Sequence, residues 1–305
     1  MPTLNDRIRQ FYDKSSLLWE QVWGEHMHHG YYQAGETSRN KDRRLAQIDL
    51  IEELLTWANL GENFSNSVRQ DASRSRSVSE GNRESAIQVL DVGCGIGGSS
   101  LYLANKLNAK VTGITLSPVQ AQRATQRAKE FGLSDRTQFQ VADALAMPFG
   151  DRQFDLIWSL ESGEHMADKT KFLQECYRVL KPNGRLIFAT WCHRPADRDK
   201  PLSVDEKAHL QRIYDVYCLP YVISLPEYEA IAQSLNFQNI QTADWSKEVA
   251  PFWDVVIDSA LTPASILGVL QSGLSTVNAA LSLRLMSRGY ARGLVKFGLL
   301  TASKS

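Results

Sequence analysis

An α/β fold with a doubly wound, mostly parallel sheet is predicted by three observations. A short apolar run, Ile87 to Val92, reads as a buried strand and breaks into glycines at 93, 95, 97 and 98. An amphipathic run follows directly and reads as a helix. From Ala86 onward strand-like and helix-like segments then alternate, the pattern of a parallel sheet covered on both faces. The strands fall near 87–92, 110–114, 137–141, 154–159 and 185–191, and the helices near 98–107, 118–131 and 169–181.

The elements around this frame have their own signatures. Leu4 to Val22 and Arg43 to Leu60 carry apolar residues at helical spacing and form an N-terminal helical cap over residues 1–60. Between them, Trp23 to Tyr32 is rich in histidine and aromatics and reads as a loop; a metal site there would need further ligands. Residues 61–85 are dominated by serine, arginine and asparagine, too polar to bury a core, and are expected to be a flexible loop. Residues 86–305 form the sheet domain with insertions. Ser117 and Pro118 supply an N-cap and first turn, and Lys181-Pro-Asn-Gly184 is a stop signal. Beyond Trp191, helices are expected at 203–217, 226–235, 251–270 and 274–292, and strands at 240–245 and 294–301. In the last helix Ala279, Leu283, Met286 and Tyr290 form an apolar stripe. Leu281 and Leu285 stand among Arg284, Arg288 and Arg292 on the other side, an arrangement that either leaves solvated arginines on a core helix or makes a peripheral membrane contact.

Bulk composition narrows the function. The chain has 305 residues, with 34 Lys plus Arg against 34 Asp plus Glu. A zero net charge argues against nucleic-acid binding. Cys94, Cys176, Cys192 and Cys218 are far apart, with no disulfide or zinc spacing, which suits a reducing compartment. The start of the chain lacks signal or transit character and no long apolar run exists, so a cytoplasmic protein is expected.

A strand, a glycine turn and a helix together hold nucleotide-like ligands, because glycine admits close backbone approach and the helix start offers free amides. Gly93, Gly95 and Gly98 satisfy G-x-G-x-x-G, but a dinucleotide site expects an acid at the end of the second strand. Here that strand ends in Thr115-Leu116-Ser117. Thr115, Ser117 and Gln120 can bond a ribose, and Asp143, after the third strand, can accept from an adenine amino group. The fourth strand delivers Glu161, Glu164 and His165 to the same crevice.

These residues resemble a known family. Asp91-Val-Gly-Cys-Gly-Ile-Gly97, Ala142-Asp-Ala144 and Lys181-Pro-Asn-Gly184 are similar to class I S-adenosylmethionine-dependent methyltransferases, whose core is Rossmann-like. Thr112-Gly-Ile-Thr-Leu-Ser-Pro118 with Gln120 resembles the branch with cyclopropane synthases and plant N-methyltransferases. Trp23-Gly-Glu-His-Met-His-His-Gly30, Glu161-Ser-Gly-Glu-His-Met166, Thr190-Trp-Cys-His-Arg194 and Ala243-Asp-Trp-Ser246 look like the γ-tocopherol methyltransferases of cyanobacteria. The resemblance runs from about residue 5 to 303 and leaves out 61–85.

The resemblance implies S-adenosylmethionine as cofactor, held by Asp91, Gly93, Cys94, Gly95, Gly97, Thr115, Leu116, Ser117, Gln120, Asp143, Ala144 and Ser159. It implies methylation of a ring carbon of γ-tocopherol to give α-tocopherol, with no metal. A base beside the phenol oxygen is then needed. His165 is the first candidate, oriented by Glu164 or Glu161. His28, His29, His193, Trp191, Trp245 and Trp253 are candidates for the acceptor site. A related enzyme acting on a quinol or an indole-alkaloid amine, and a noncatalytic S-adenosylmethionine-binding protein, stay open.

Overall fold

The structure is a computed structural model describing residues 2–37, 40–60, 86–260 and 274–305. The expected loop at 61–85 and the stretch 261–270 of an expected helix lie outside these residues.

Helices α1 (Leu4–Trp23) and α2 (Arg43–Trp57) precede the sheet. Thr3 and Asp6 cap α1 reciprocally, and the Asp42 carboxylate accepts from the amides of Arg44 and Leu45 at the start of α2. The sheet domain then runs β1 (Gln88–Val92), α3 (Gly98–Lys106), β2 (Lys110–Thr115), α4 (Pro118–Glu130), β3 (Thr137–Val141) and β4 (Phe154–Leu160). A 3-10 turn (Gly163–His165), α5 (Lys169–Val179), β5 (Leu180–His193), α6 (Val204–Tyr217) and α7 (Leu225–Ser234) follow. The chain ends with β6 (Gln238–Asp244), α8 (Ser246–Val249), α9 (Pro251–Ala260), α10 (Leu274–Ala291) and β7 (Val295–Ser303).

Seven strands form one sheet in the order β3-β2-β1-β4-β5-β7-β6. β1 to β5 are parallel and β7 is antiparallel to both its neighbours. The order reverses beside β1, so the ends of β1, β2 and β4 border the crevice where ligands of open α/β sheets bind. The doubly wound prediction holds, and every predicted strand and helix among the described residues is present.

β5 is longer than expected. Helix α5 stops at Val179, but the chain pairs at once, Leu180 with Phe154, and Lys181-Pro-Asn-Gly184 is absorbed as an irregularity before Arg185 pairs with Leu156. Asn183 takes the left-handed conformation there.

Alternate residues of the central strands feed two cores, one on each face. Val89, Trp158, Ile187 and Phe297 pack with α2, α6, α9 and α10. Leu90, Ile157, Phe188 and Leu300 pack with α5 and α7. All seven residues of β4 are buried, as a strand covered on both faces requires. On α10, Leu283, Met286 and Tyr290 are buried while Arg284 and Arg288, with Arg292 just past the helix end, are exposed. Leu285 does not face out as expected; it is half-buried against the core. Leu281 and Ala279 have no described side chains.

Phe188 is fully buried between Phe172 and Tyr228, with ring centroids 5.6 and 5.0 Å away. Phe188→Ala is expected to cost about 3–5 kcal/mol of stability. Urea unfolding measures it, and a loss below about 1 kcal/mol would mean that this core is loosely packed.

Candidate active site

The crevice holds two adjoining chambers. The first encloses about 990 Å³, counting space open to solvent. It is lined by nine of the twelve residues expected to hold the cofactor: Asp91, Gly93, Cys94, Gly95, Thr115, Leu116, Gln120, Asp143 and Ala144.

Each of these is placed by its local chain. Gly93 and Gly95 have φ of +81° and +53°. A Cβ on Gly93 would lie 2.2 Å from the Ser162 Cβ, so this glycine permits packing. A Cβ on Gly95 would meet the Met27 sulfur at 3.8 Å and nothing nearer, so its backbone is bare toward the chamber. That bare backbone, and the free amides at the start of α3, fit a bound nucleoside. Asp91 is buried and accepts from the Ser100 hydroxyl at 2.5 Å; burial raises its carboxyl to about 7, although that bond opposes the rise. Thr115 donates to the Gln120 side chain at 2.7 Å. Asp143 accepts from the Leu145 amide and from the Asn5 side chain, both at 2.8 Å.

Three expected cofactor residues do not line the chamber. Ser117 caps α4 and donates to Asp13 at 2.5 Å. Ser159 is buried against the Ser162 hydroxyl at 2.8 Å. Gly97 turns the chain into α3 in the left-handed conformation. All three shape the wall from behind.

The second chamber is lined by Phe11, Trp19, Trp23, Trp191 and Tyr217 on its aromatic side. Tyr12, Met27, Glu161 and His165 line both chambers and form the partition. Glu164 lines the second chamber alone.

The partition is tightly bonded. Glu161, at φ +53°, accepts from the His29 amide at 2.6 Å, from His29 Nδ1 at 2.7 Å and from Trp191 Nε1 at 3.0 Å. Burial pushes its pKa up, but attraction to His29 and the bonds from it outweigh burial and hold the carboxyl below its usual value. Glu164 accepts from Thr190 Oγ1 at 2.8 Å. Burial, reinforced by the Glu161 charge, raises it to about 7. His165 Nε2 meets the Tyr12 hydroxyl at 2.7 Å, and its Nδ1 has no partner. Burial, helped by the Lys169 ammonium, lowers His165 to about 3.

Several expectations are corrected here. His165 does not sit in the usual histidine range, because the imidazolium is desolvated. Neither Glu164 nor Glu161 orients it; Tyr12 does. His193 lines neither chamber, and its Nδ1 donates to the Arg194 carbonyl at 2.7 Å. Trp245 packs on Tyr31 and Trp57. Trp253 is fully buried behind His29 and Trp191. His29 is held by Glu161 behind the partition, whereas His28 reaches the first chamber with Nε2 unpartnered. Sequence reading also passed over Asn5, Tyr12, Asp13, Met27 and Lys169. Asn5, Ile8 and Tyr12 do recur at helical spacing on one face of α1, a pattern that in sequence marks only an apolar stripe.

A family model described as "Methyltransferase domain" matches residues 90–188. "Probable tocopherol O-methyltransferase, chloroplastic" of Oryza sativa subsp. japonica is 49% identical, over 99% of this chain and 79% of the rice protein. "Tocopherol O-methyltransferase, chloroplastic" of Arabidopsis thaliana is 44% identical, over 99% of this chain and 82% of that protein. The chain belongs to the tocopherol methyltransferase family. It is therefore an S-adenosylmethionine-dependent class I methyltransferase. "2-methyl-6-phytyl-1,4-hydroquinone methyltransferase" of Synechocystis sp. (strain ATCC 27184 / PCC 6803 / Kazusa) is 34% identical, over 98% of this chain and 97% of that protein. Geranyl diphosphate C-methyltransferase from Streptomyces coelicolor A3(2), solved with S-adenosyl-L-homocysteine, has the same fold: TM-score 0.72 at 17% identity, covering 100% of this chain and 98% of that one.

The plant names correct one expectation. Both relatives are called chloroplastic, which overturns the reading of a cytoplasmic protein. Among the described residues no helix is long and apolar enough to cross a membrane.

Two substitutions separate cofactor contact from packing. Asp143→Ala is expected to weaken S-adenosylhomocysteine about 10- to 100-fold, as losing a buried hydrogen bond costs about 1–3 kcal/mol. Gly95→Ala is expected to lose affinity and to lose only the roughly 1–2 kcal/mol of a left-handed alanine in stability, whereas Gly93→Ala, which adds a clash with Ser162 to the same strain, melts further below the parent. Calorimetric titration with thermal melts tests both; unchanged affinity in Asp143→Ala and Gly95→Ala would remove the first chamber as the cofactor site.

Proposed function

We propose that this methyltransferase methylates the chromanol ring of γ-tocopherol at the carbon ortho to the phenol oxygen, giving α-tocopherol, and converts δ- to β-tocopherol likewise. The observation that carries the reading is the shared wall. Four residues, Tyr12, Met27, Glu161 and His165, border both the chamber that fits the nucleoside and an aromatic chamber that suits an apolar ring. The names of the plant relatives support the acceptor class.

S-adenosylmethionine supplies a methyl group already activated on a sulfonium. The protein's own work is positioning and charge. Asp91, Gly95 and Asp143 would hold the nucleoside. Glu161, ionised and bonded three times, offers a fixed negative charge at the wall. The aromatic side chains orient the ring and exclude water. His165 stays neutral at pH 7, so one nitrogen can accept the phenol hydrogen bond and push electron density toward the ring. Tyr12 holds the other nitrogen.

A second reading has support of its own. A relative named for a phytyl hydroquinone is 34% identical, and a hydroquinone asks for the same phenol chemistry. Incubation with labelled S-adenosylmethionine and a panel of γ-, δ- and β-tocopherol, a phytyl hydroquinone and an indole-alkaloid amine decides between them. The expected product is α-tocopherol with its phenol free. A labelled phenol ether would overturn the ring-carbon assignment, and preferred labelling of the hydroquinone would move the enzyme to quinols.

Within this reaction His165→Ala is expected to lower kcat about 100-fold or more. Tyr12→Phe is expected to lower it about tenfold, the worth of one hydrogen bond of about 1.4 kcal/mol. Both should bind S-adenosylhomocysteine within about threefold of the parent. Turnover of His165→Ala within threefold of the parent would move the phenol contact to His28.

A tocopherol resides in lipid, and the reading therefore includes peripheral contact with a bilayer. Arg284 and Arg288 on α10 and Arg292, one residue past its end, recur every four residues and are exposed. Each adds about 1 kcal/mol of attraction to an anionic surface. The protein is expected to sediment with anionic vesicles at low salt, and Arg284→Glu with Arg288→Glu to release it while cofactor binding persists. Equal sedimentation of both proteins would exclude α10 as the contact.

A further inference from the structure

Electrophilic methylation of a ring carbon leaves a proton to dispose of. When the ring carbon bonds to the methyl group, the methyl–sulfur bond would break with its electron pair left on the sulfur as S-adenosylhomocysteine, and the carbon becomes tetrahedral, carrying both methyl and hydrogen. The ring is then cationic, its charge shared with the protonated oxygen. Aromaticity returns when the C–H electron pair re-enters the ring and the proton goes to a base. The methyl group has come from the cofactor side, so the hydrogen points away from the first chamber. The base must therefore lie in the second chamber and not on the partition.

The lining satisfies that condition with one side chain. Glu161 and His165 border both chambers, and the other residues that line the second chamber alone are Phe11, Trp19, Trp23, Trp191 and Tyr217. Glu164 is the one carboxylate among the described residues that lines the second chamber and not the first. Resting on the ring-carbon reading above, we infer that the Glu164 carboxylate takes the ring proton, and that Thr190 and Lys169 are the positioning residues that aim it.

The aim is built from the backbone up. Glu164 lies in the 3-10 turn Gly163–His165, just past the end of β4. Lys169, itself buried, reaches back from the first turn of α5 and donates to the carbonyl oxygens of Gly163 at 2.9 Å and Glu164 at 3.1 Å. These bonds lock the turn from below. The Lys169 ammonium also stands 4.8 Å from the centre of the Tyr221 ring. Thr190 Oγ1, from neighbouring β5, donates to Glu164 Oε2 at 2.8 Å and fixes the carboxyl plane. The Tyr228 hydroxyl approaches the Gly163 carbonyl at 3.5 Å on the buried side of the same turn. Burial raises Glu164 to about 7 and lowers Lys169 to about 8. A carboxyl near 7 is a far better acceptor than an ordinary glutamate and is still substantially ionised at neutral pH. Beside it His165, near 3, serves as hydrogen-bond acceptor at the oxygen while the proton is lost at carbon.

The test uses γ-tocopherol carrying deuterium at the carbon to be methylated. With the parent, methyl transfer is the slow step and the isotope effect on α-tocopherol formation is near 1. In Glu164→Gln, which keeps the volume and can still accept from Thr190, turnover is expected to fall at least 100-fold and the isotope effect to rise to about 3 or more. The carboxylate is the proton acceptor, so the parent's isotope effect is expected to grow as pH falls below about 7 and proton loss slows, and the effect in Glu164→Gln to stay large at every pH. Lys169→Met is expected to lower kcat with little change in KM, with partial rescue by Lys169→Arg. Tryptophan fluorescence titrated with γ-tocopherol alone reads acceptor binding without turnover, and Glu164→Gln is expected to bind within threefold of the parent. If the parent makes α-tocopherol and Glu164→Gln does so at a similar rate with no isotope effect, Glu164 is not the base. If the parent makes a phenol ether, no ring proton leaves, and the ring-carbon reading falls together with this assignment.

Discussion

An ionised carboxylate cannot be buried without partners, because desolvation costs several kcal/mol that bonds must offset. Glu161 meets that demand with three donors, two from His29 and one from Trp191. The donors come from different parts of the chain. His29 lies in the loop between the first two helices, and Trp191 lies on β5. The carboxylate thereby fastens the N-terminal loop to the sheet at the end of β4. It does so from a left-handed backbone conformation that a glutamate rarely adopts, and strain of this kind persists where surrounding structure over-determines it. Behind Glu161 the His29 ring is walled by Phe252, Trp253, Tyr290 and Phe297, with centroids 5.1 to 5.8 Å away. The C-terminal helices are therefore built around the same anchor.

That anchor also sets the character of its neighbour. The two glutamates stand three residues apart and share the aromatic chamber, yet burial acts on them with opposite net results. Glu161 has donors enough to stay charged. Glu164 has Thr190 and the distant help of Lys169, and it feels the Glu161 charge, so its proton is held more firmly. Two titrating groups whose surroundings push them apart carry different roles. One provides a fixed charge at the partition, and the other a proton acceptor inside the chamber. If Glu161 lost its donors, both values would move, so the assignment at Glu164 depends on His29 and Trp191 as much as on its own contacts.

What could be read in the chain was what is local. The glycine turn, the strand alternation, the Ser117 cap and Asp143 depend on neighbours in sequence, and the structure places them as expected. The site's polar residues on β4 and the turn after it were legible because strand ends face the crevice. What failed was long-range. Tyr12 looked like one more apolar position of an amphipathic helix, and nothing near it in sequence says that His165 is its partner. Lys169 starts a helix, and nothing near it in sequence marks it as buried beneath the Gly163–His165 turn. Trp253 and Trp245 were chosen for aromatic surface, but one is core behind His29 and the other packs on Tyr31 and Trp57. Histidines were weighted by their ordinary pKa, and burial, which no local pattern reports, moved His165 far from it.

The first helix joins these two levels. Four of its side chains bond to residues of the site or its rim: Asn5 to Asp143, Tyr12 to His165, Asp13 to Ser117, and Glu20 to Arg123. In the proposed reaction Asp143 and His165 are also the groups that meet the cofactor and the acceptor. Ligand binding therefore exchanges one set of hydrogen bonds for another instead of filling bare polar groups. Such exchange is nearly neutral in free energy per bond, so α1 can cover the chambers and still yield to what enters them. Glu20 and Ser117 lie at the rim, where Arg123 and Asp13 hold the helix without touching the nucleoside chamber. Cover and site are thus coupled at Asp143 and His165 and uncoupled at Glu20 and Asp13, which lets α1 remain docked at the rim while its inner contacts change.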